Sequence, residues 1–264
     1  MNRRLPSAEF LDLIHPYTGD VSDAQPPARG FSSDVLALID ASQGRFFVKG
    51  IENRAGGRRD SLARERMINE AVHPLSPRLL WHAENDQWIA LGFELVDGRT
   101  SDFGPSSADL PSIVQLLNRI GGVSLPAVAE DWAETRWDRF ASDQSDAALF
   151  KGDSLIHGDI NPSNLLVGDA GSWVVDWAWP TRGSALIDPA LLALQLIAAG
   201  HSPEAAESWV SQCPAWSKSD PAAIDAFVMA NLRMYRKRAK RFPEQKWLGA
   251  MEATAQAWVD YRQR

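Results

Sequence analysis

The run His157-Gly158-Asp159-Ile160-Asn161-Pro162-Ser163-Asn164, followed at a short distance by Val174-Val175-Asp176-Trp177, constrains this chain more than any other part of it. An Asp and an Asn five positions apart, with a second Asp closing a nearby strand, supply one carboxylate for an attacking hydroxyl and two oxygen ligands for magnesium. Phosphoryl transfer from a nucleotide needs that set. Leu155-Ile156 leads in as an apolar run and Pro162 keeps Asn161 out of the helical region, so 157–164 reads as a tight loop. Leu165-Leu166-Val167 and Trp173-Val174-Val175 flank Gly168-Asp169-Ala170-Gly171 and predict a β-hairpin with a four-residue turn, with Asn164 at its entrance and Asp176 at its exit. An isolated Asp or Asn in a loop is usually a turn former making Asx-type bonds. All four groups in this order and spacing exceed what a turn requires.

These residues resemble the catalytic core of the aminoglycoside phosphotransferase family, the small-molecule branch of the protein-kinase-like superfamily. The resemblance implies that His157-x-Asp159-x-x-x-x-Asn164 is the catalytic loop and that Asp176 is the metal-binding carboxylate. Gly158 stands where protein kinases place Arg, and Asp176-Trp177-Ala178 where they place Asp-Phe-Gly. Many members carry an acidic residue after the Asp-Trp pair, whereas Ala178-Trp179-Pro180 follows here.

A chain of 264 residues can bury roughly three quarters of its unfolded surface, enough for a two-lobed enzyme. Its 45% hydrophobic and 23% charged residues are ordinary globular values. One cysteine, Cys213, excludes an internal disulfide framework and a Cys-based zinc cluster and reads as a packed or partly exposed thiol. No secretory signal and no bilayer-length apolar run is visible, so a soluble cytoplasmic protein is expected. A net charge of −7 disfavours nucleic-acid binding and suits a cationic small molecule. Locally, Arg233, Arg236, Lys237, Arg238, Lys240 and Arg241 form a basic run, read as a solvated helix face.

Ahead of the loop the pattern is strands with one helix. Val35–Ile39 and Phe46–Lys49 are β-rich runs joined through Asp40-Ala41-Ser42-Gln43-Gly44, and Trp88–Phe93 is a third. Between them Asp60 or Ser61 is expected to cap a helix whose apolar residues Ile68, Ala71, Val72 and Leu75 follow i, i+3, i+4, i+7. Beyond Phe93 helices are predicted at 108–122, 131–149, 203–212, 221–241 and 244–262. Leu191–Ile197 is nearly all apolar and predicts a buried helix capped by Asp188, with Pro189 in its first turn and Gly200 at its end. The fold class is therefore α+β, and the resemblance implies a protein-kinase-like pair of lobes. An N-terminal antiparallel sheet lobe with one helix spans 1–95, and a larger, mainly helical lobe spans 96–264.

Lys49 closes an aromatic strand in which Phe47, Lys49 and Ile51 share one face, so its ammonium needs a partner. Glu65, three before Ile68 and seven before Val72, lies on the buried helix stripe, whereas Glu70 points away. Lys49 and Glu65 are thus expected to form the superfamily's ion pair over the donor phosphates. Gly30, Ser32 and Ser33 fall in a stretch resembling the phosphate-covering loop, and Glu94, Leu95 and Val96 in the connection where the family binds adenine. Glu130, Asp131, Trp132, Glu134, Trp137, Asp138, Trp177 and Trp179 are the acidic and aromatic residues available to an acceptor, although with eleven tryptophans most must be core.

The expected activity is an ATP- and Mg2+-dependent phosphotransferase acting on a hydroxyl of a small molecule. An aminoglycoside or other hydroxylated antibiotic leads, ahead of a sugar, amino alcohol or nucleoside-like metabolite. Asp159 would be the base, with His157 bracing the loop. The expected protein is a monomer or homodimer without nucleic-acid or membrane partners. A catalytically silent nucleotide-binding scaffold is the rival from another class, and the complete set of groups weighs against it. A protein kinase is disfavoured by the lack of Asp-Phe-Gly and Ala-Pro-Glu.

Overall fold

A strand whose side chains are apolar on both sides needs a cover on each face of its sheet. A computed structural model of the protein describes residues 6–26 and 33–264. Gly30 and Ser32 lie outside them. In chain order the elements are α1 (Ala8–Thr18), β1 (Val21–Gln25), β2 (Val35–Ala41), β3 (Gly44–Glu52), α2 (Gly57–Val72), β4 (Leu79–Glu84), β5 (Trp88–Glu94), β6 (Arg99–Thr100), α3 (Leu110–Gly121), α4 (Gln144–Ala148), β7 (Ser154–Ile156), β8 (Leu165–Gly168), β9 (Gly171–Val174), β10 (Thr181–Gly183), α5 (Ile187–Ala198), α6 (Pro203–Val210), α7 (Pro214–Ser217), α8 (Pro221–Arg241) and α9 (Lys246–Arg262). The chain forms two compact units, residues 1–99 with 168–179 and residues 100–167 with 180–264. The first unit thus runs four residues past the expected boundary at 95 and takes in the segment carrying Asp176.

In the first unit an antiparallel sheet has the order β1-β2-β3-β5-β4. Alternation along the strands sends Phe46, Val48, Ala37, Ile39 and Ala90 to one face, where they pack with Phe10 and Ile14 of α1. Ile51, Ile89, Leu91 and Phe93 face the other way and pack with Leu62 of α2. The sheet unit therefore has two helices where the sequence predicted one. The pattern of α1 is short and interrupted by Pro16, but Ser7 accepts the Phe10 N–H as a cap and Phe10 and Ile14 are fully buried four apart. Strand β4, also unforeseen, is an edge strand that buries only Trp81 and Ala83 in alternation with exposed His82 and Glu84.

Helix α2 begins ahead of the expected caps. Its N-cap is Gly56 at φ 138°, and Asp60 sits inside the first turn, where a carboxylate favours the helix dipole. Its buried stripe is Leu62, Glu65, Ile68, Asn69 and Val72, while Ala71 is exposed.

In the second unit α5 is buried along most of its length and contacts α6, α7, α8 and α9, with the α8–α9 pair packed beside it. Asp188 does not cap α5. Leu186 is the N-cap residue, and Asp188 lies in the first turn with its carboxylate turned elsewhere. Helix α8 matches the predicted 221–241, capped by Asp220. The basic run is used in packing as well as solvation. Arg233 donates to the Phe140 carbonyl at 3.0 Å, Arg236 pairs with Glu252 at 3.1 Å, and Arg238 lies over the Trp247 ring at 5.8 Å. Cys213 is buried, and burial raises its thiol pKa to about 11.

The predicted helix at 131–149 does not form. Trp132 and Glu134 hydrogen-bond with the backbone of Arg182 in a short parallel bridge, a short 3-10 turn precedes it at Ala127–Ala129 and another follows at Asp138–Phe140, and only Gln144–Ala148 is α-helical. The bridge takes up N–H and C=O groups that a helix would use. No helix among the described residues is long and apolar enough to cross a membrane.

Candidate active site

In the first unit three side chains meet. Lys49 Nζ lies 2.7 Å from Glu65 Oε1 and 2.9 Å from Asp176 Oδ1, with the lysine and Glu65 both buried. The register explains the meeting. Lys49 stands opposite Leu91 on the face that α2 covers, and Glu65 projects from the buried stripe of α2 while Glu70 is exposed. Burial alone disfavours the ammonium, but Asp176 and Glu65 outweigh it and raise the Lys49 pKa. Burial pushes the Glu65 carboxyl up, against the pull of Lys49 and of the Trp177 backbone N–H that donates to it. An ammonium has three donors, so one remains beyond these two carboxylates.

Asp176 adopts φ 64°, and it is the non-glycine residue in the left-handed region among those described. Trp177 behind it is fully buried and donates its indole N–H to the Val174 carbonyl at 3.3 Å. This buried ring and the Glu65 contact hold the turn that presents Asp176. Asn69, one helical turn beyond Glu65, was not foreseen. Its amide donates to the Pro77 carbonyl at 2.8 Å and accepts from the Leu79 N–H at 2.7 Å, pinning α2 to the start of β4. A polar residue four positions from Glu65 on an apolar stripe was the available signal.

In the second unit the loop from His157 to Asn164 is braced at both ends. The buried Asp188 carboxylate accepts the N–H groups of His157 at 2.9 Å and Gly158 at 2.8 Å. Burial raises the Asp188 pKa, and the neighbouring His157 together with these two N–H bonds pulls it back only in part. His157 Nδ1 accepts the Asp159 N–H at 3.2 Å, a bracing contact that places the ring proton of a neutral imidazole on Nε2. Asn161, not Asp159 or Asn164, is the Asx turn former, accepting the Ser163 N–H at 2.9 Å. Asn164 donates through Nδ2 to the Asp159 carbonyl and to Asp159 Oδ2, each at 2.9 Å. Its Oδ1 therefore faces away from the carboxylate. Asp159 itself is exposed.

The strands after the loop, β8 and β9, leave only Asp169-Ala170 between them, so the two glycines are strand residues and not part of a four-residue turn. Gly168 is required for another reason, since a Cβ there would lie 2.0 Å from the Asp97 carbonyl oxygen. Glu94 ends β5, and its backbone N–H and one side-chain oxygen are engaged by Arg78. Leu95 and Val96 follow outside any strand, and the Val96 carbonyl accepts the Gly98 N–H at 3.1 Å. Ser33 is half-buried.

Half of the residues offered to an acceptor prove to be structural. Glu134 is fully buried against Arg136, Trp137 packs on Phe227 and donates to Asn231, Asp138 pairs with Lys151 at 2.5 Å, and Trp177 is core. Glu130 and Asp131 are exposed, Trp132 is half-buried, and exposed Trp179 carries the Arg64 guanidinium over its ring at 5.4 Å.

Among the described residues no three His, Cys, Asp or Glu side chains gather to hold a metal. The first unit offers the Asp176 carboxylate and the second unit the Asn164 amide oxygen. Hard oxygen donors in small number fit magnesium, which usually keeps waters and shares its shell with substrate phosphates.

A five-stranded antiparallel sheet unit carrying a buried Lys–Glu pair, joined in the chain to a helical unit carrying the His-x-Asp loop, defines the protein-kinase-like fold. Solved structures agree on that fold. Choline kinase LicA from Streptococcus pneumoniae superposes with TM-score 0.65 at 12% identity, covering 95% of this chain and 98% of that one. A thermostable mutant of aminoglycoside phosphotransferase APH(4)-Ia, in ternary complex with ADP and hygromycin B, gives TM-score 0.59 at 12% identity, covering 93% and 97%. An amicoumacin kinase in complex with AMP-PNP and Ca2+ gives 0.60 at 9% identity, covering 97% and 94%. No protein-family model matches the sequence. No curated protein matches it either.

Proposed function

We propose that this protein is an ATP- and magnesium-dependent kinase that phosphorylates a hydroxyl group of a small molecule. The observation that carries the reading is the buried ammonium of Lys49, held between Glu65 at 2.7 Å and Asp176 at 2.9 Å. Burying the Lys49 and Glu65 charges beside a half-buried Asp176 is costly unless the arrangement serves a purpose, and a lysine with one donor to spare suits the oxygens of a donor phosphate. The exposed Asp159 carboxylate, oriented by Asn164, would take the hydrogen bond of the acceptor hydroxyl and receive its proton as the oxygen attacks phosphorus. Asn164 and Asp176 are the residues to hold magnesium. When bound, the ion neutralises charge on the donor phosphates.

Bound nucleotides in two proteins of the same fold support a nucleotide donor. For the acceptor, an aminoglycoside or another hydroxylated antibiotic is the first class to test, followed by a choline-like amino alcohol, a sugar or a nucleoside-like metabolite. The test is ADP release from Mg-ATP across a panel of these acceptors. A hit that yields a phosphorylated product by mass spectrometry supports the reading, whereas a protein that binds Mg-ATP and turns over no acceptor and no water is the silent scaffold.

The helix register yields its own expected result. Glu65→Gln should loosen Lys49 and lower activity at least about tenfold, roughly 1.4 kcal/mol of transition-state stabilisation. Glu70→Gln, on the exposed face, should be nearly silent. Turnover of both variants, with thermal melts alongside, checks the pair. Damage from Glu70→Gln in folded protein would reverse the assignment.

A further inference from the structure

The space beside Gly158 is filled from elsewhere in the chain. Arg136 Nη1 donates to the Gly158 carbonyl oxygen at 3.2 Å, and Nη2 donates to Thr181 Oγ1 at 3.0 Å. Its Nε lies 2.9 Å from Glu134 Oε2 and 3.1 Å from Oε1, and Nη2 also pairs with Oε2. Glu134 is fully buried, and the Thr181 hydroxyl donates to its Oε2 at 2.6 Å. Burial by itself would raise the Glu134 pKa. The guanidinium and the two hydrogen-bonding partners more than reverse it and hold the carboxylate below its usual range.

Position 158 is shaped to this guanidinium. Gly158 has φ +74°, and a Cβ there would lie 2.1 Å from Arg136 Nη2. The anchors are rigid, because Thr181 is paired in β10 opposite Ile156 of β7, the residue before His157, and the Glu134 N–H is tied to the Arg182 carbonyl at 2.8 Å. The peptide that joins Gly158 to Asp159 is thus gripped from both sides. His157 Nδ1 accepts its Asp159 N–H and Arg136 donates to its Gly158 carbonyl, while Asp188 holds the N–H of the preceding peptide.

We propose that Arg136, fixed by Glu134 and Thr181, is a positioning residue that sets the Gly158–Asp159 peptide and thereby the direction of the Asp159 carboxylate. The inference rests on the reading of Asp159 as the base. A guanidinium can do this because its donors are coplanar and fixed, so one edge engages the anchor while the other orients the carbonyl. A lysine would keep the charge beside Glu134 and lose the fork.

Arg136→Lys is therefore the test, read as ADP release from Mg-ATP with the best acceptor from the panel, or with water where none is found. Turnover should fall roughly tenfold to a hundredfold, the scale of a misplaced catalytic group. Mg-ATP affinity by calorimetry should stay within about twofold, because nucleotide binding does not call on the direction of Asp159. Turnover near the parent value overturns the proposal, as does a fall matched by an equal loss of nucleotide affinity. If Arg136→Lys does not fold, Thr181→Val decides. Removing the hydroxyl loosens the guanidinium, and a turnover-only loss of at least about threefold supports the proposal while a silent variant overturns it. Asp159→Asn in parallel separates the two readings. Loss there without loss in Arg136→Lys discards Arg136 alone, and loss in neither discards Asp159 as base.

Discussion

Asp159→Asn is expected to lower turnover by about two to four orders of magnitude, the usual contribution of a positioned general base, and to leave Mg-ATP affinity and the melting temperature nearly unchanged. The substitution preserves shape and removes the charge. The hydrogen bonds that fix the loop survive it, because the Asp159 N–H to His157 and the Asp159 carbonyl to Asn164 are backbone contacts. The amide oxygen of Asn can still accept from Asn164 Nδ2, which lies 2.9 Å from Asp159 Oδ2. What disappears is the capacity to accept the proton of the attacking hydroxyl. Steady-state ADP release and calorimetry with Mg-ATP check the two halves of this expectation. Turnover within about tenfold of the parent would leave the loop a structural feature.

The parts of the site that were legible in the sequence are those specified by local spacing. The Lys49–Glu65 meeting follows from a period of two in β3 and a helical period in α2, and each is readable without its partner. The loop was legible because its residues are contiguous and each element around it is short. Other features depended on distant chain. Glu134 looked like a solvent-facing acid available to a cationic acceptor, yet it is buried because Thr181, 47 positions away, and Arg136 satisfy it. The same bridge to Arg182 that fixes Glu134 abolishes the helix predicted at 131–149. Helix α1 has no sequence signature of its own because Pro16 interrupts it and only Phe10 and Ile14 among its large apolar residues are fully buried. Gly168 read as a turn residue, but it is needed for the approach of the Asp97 carbonyl, a contact without a sequence signature. The acceptor was the least legible part. Half of the acidic and aromatic positions that could have recognised it, Glu134, Trp137, Asp138 and Trp177, are engaged in packing or ion pairs, and backbone groups such as those at Leu95 and Val96 are present in any residue.

Asp176→Ala and Asp176→Gly should both abolish the magnesium-dependent part of nucleotide affinity, because the carboxylate proposed to hold the ion is gone. The pair of variants separates metal binding from backbone strain. At φ 64° an alanine is strained by about 1–2 kcal/mol, whereas glycine adopts the conformation freely. The alanine variant should therefore melt lower than the glycine variant while both bind ATP equally in magnesium and in EDTA. Neither change strands Lys49, which keeps Glu65 at 2.7 Å, so a folded protein is expected in each case. Calorimetric titration of ATP with and without magnesium reads the metal effect directly. If the glycine variant retained the parent's magnesium-dependent gain in affinity, Asp176 would be a second counter-ion for Lys49 and a turn former, and the metal would have to be held by other groups.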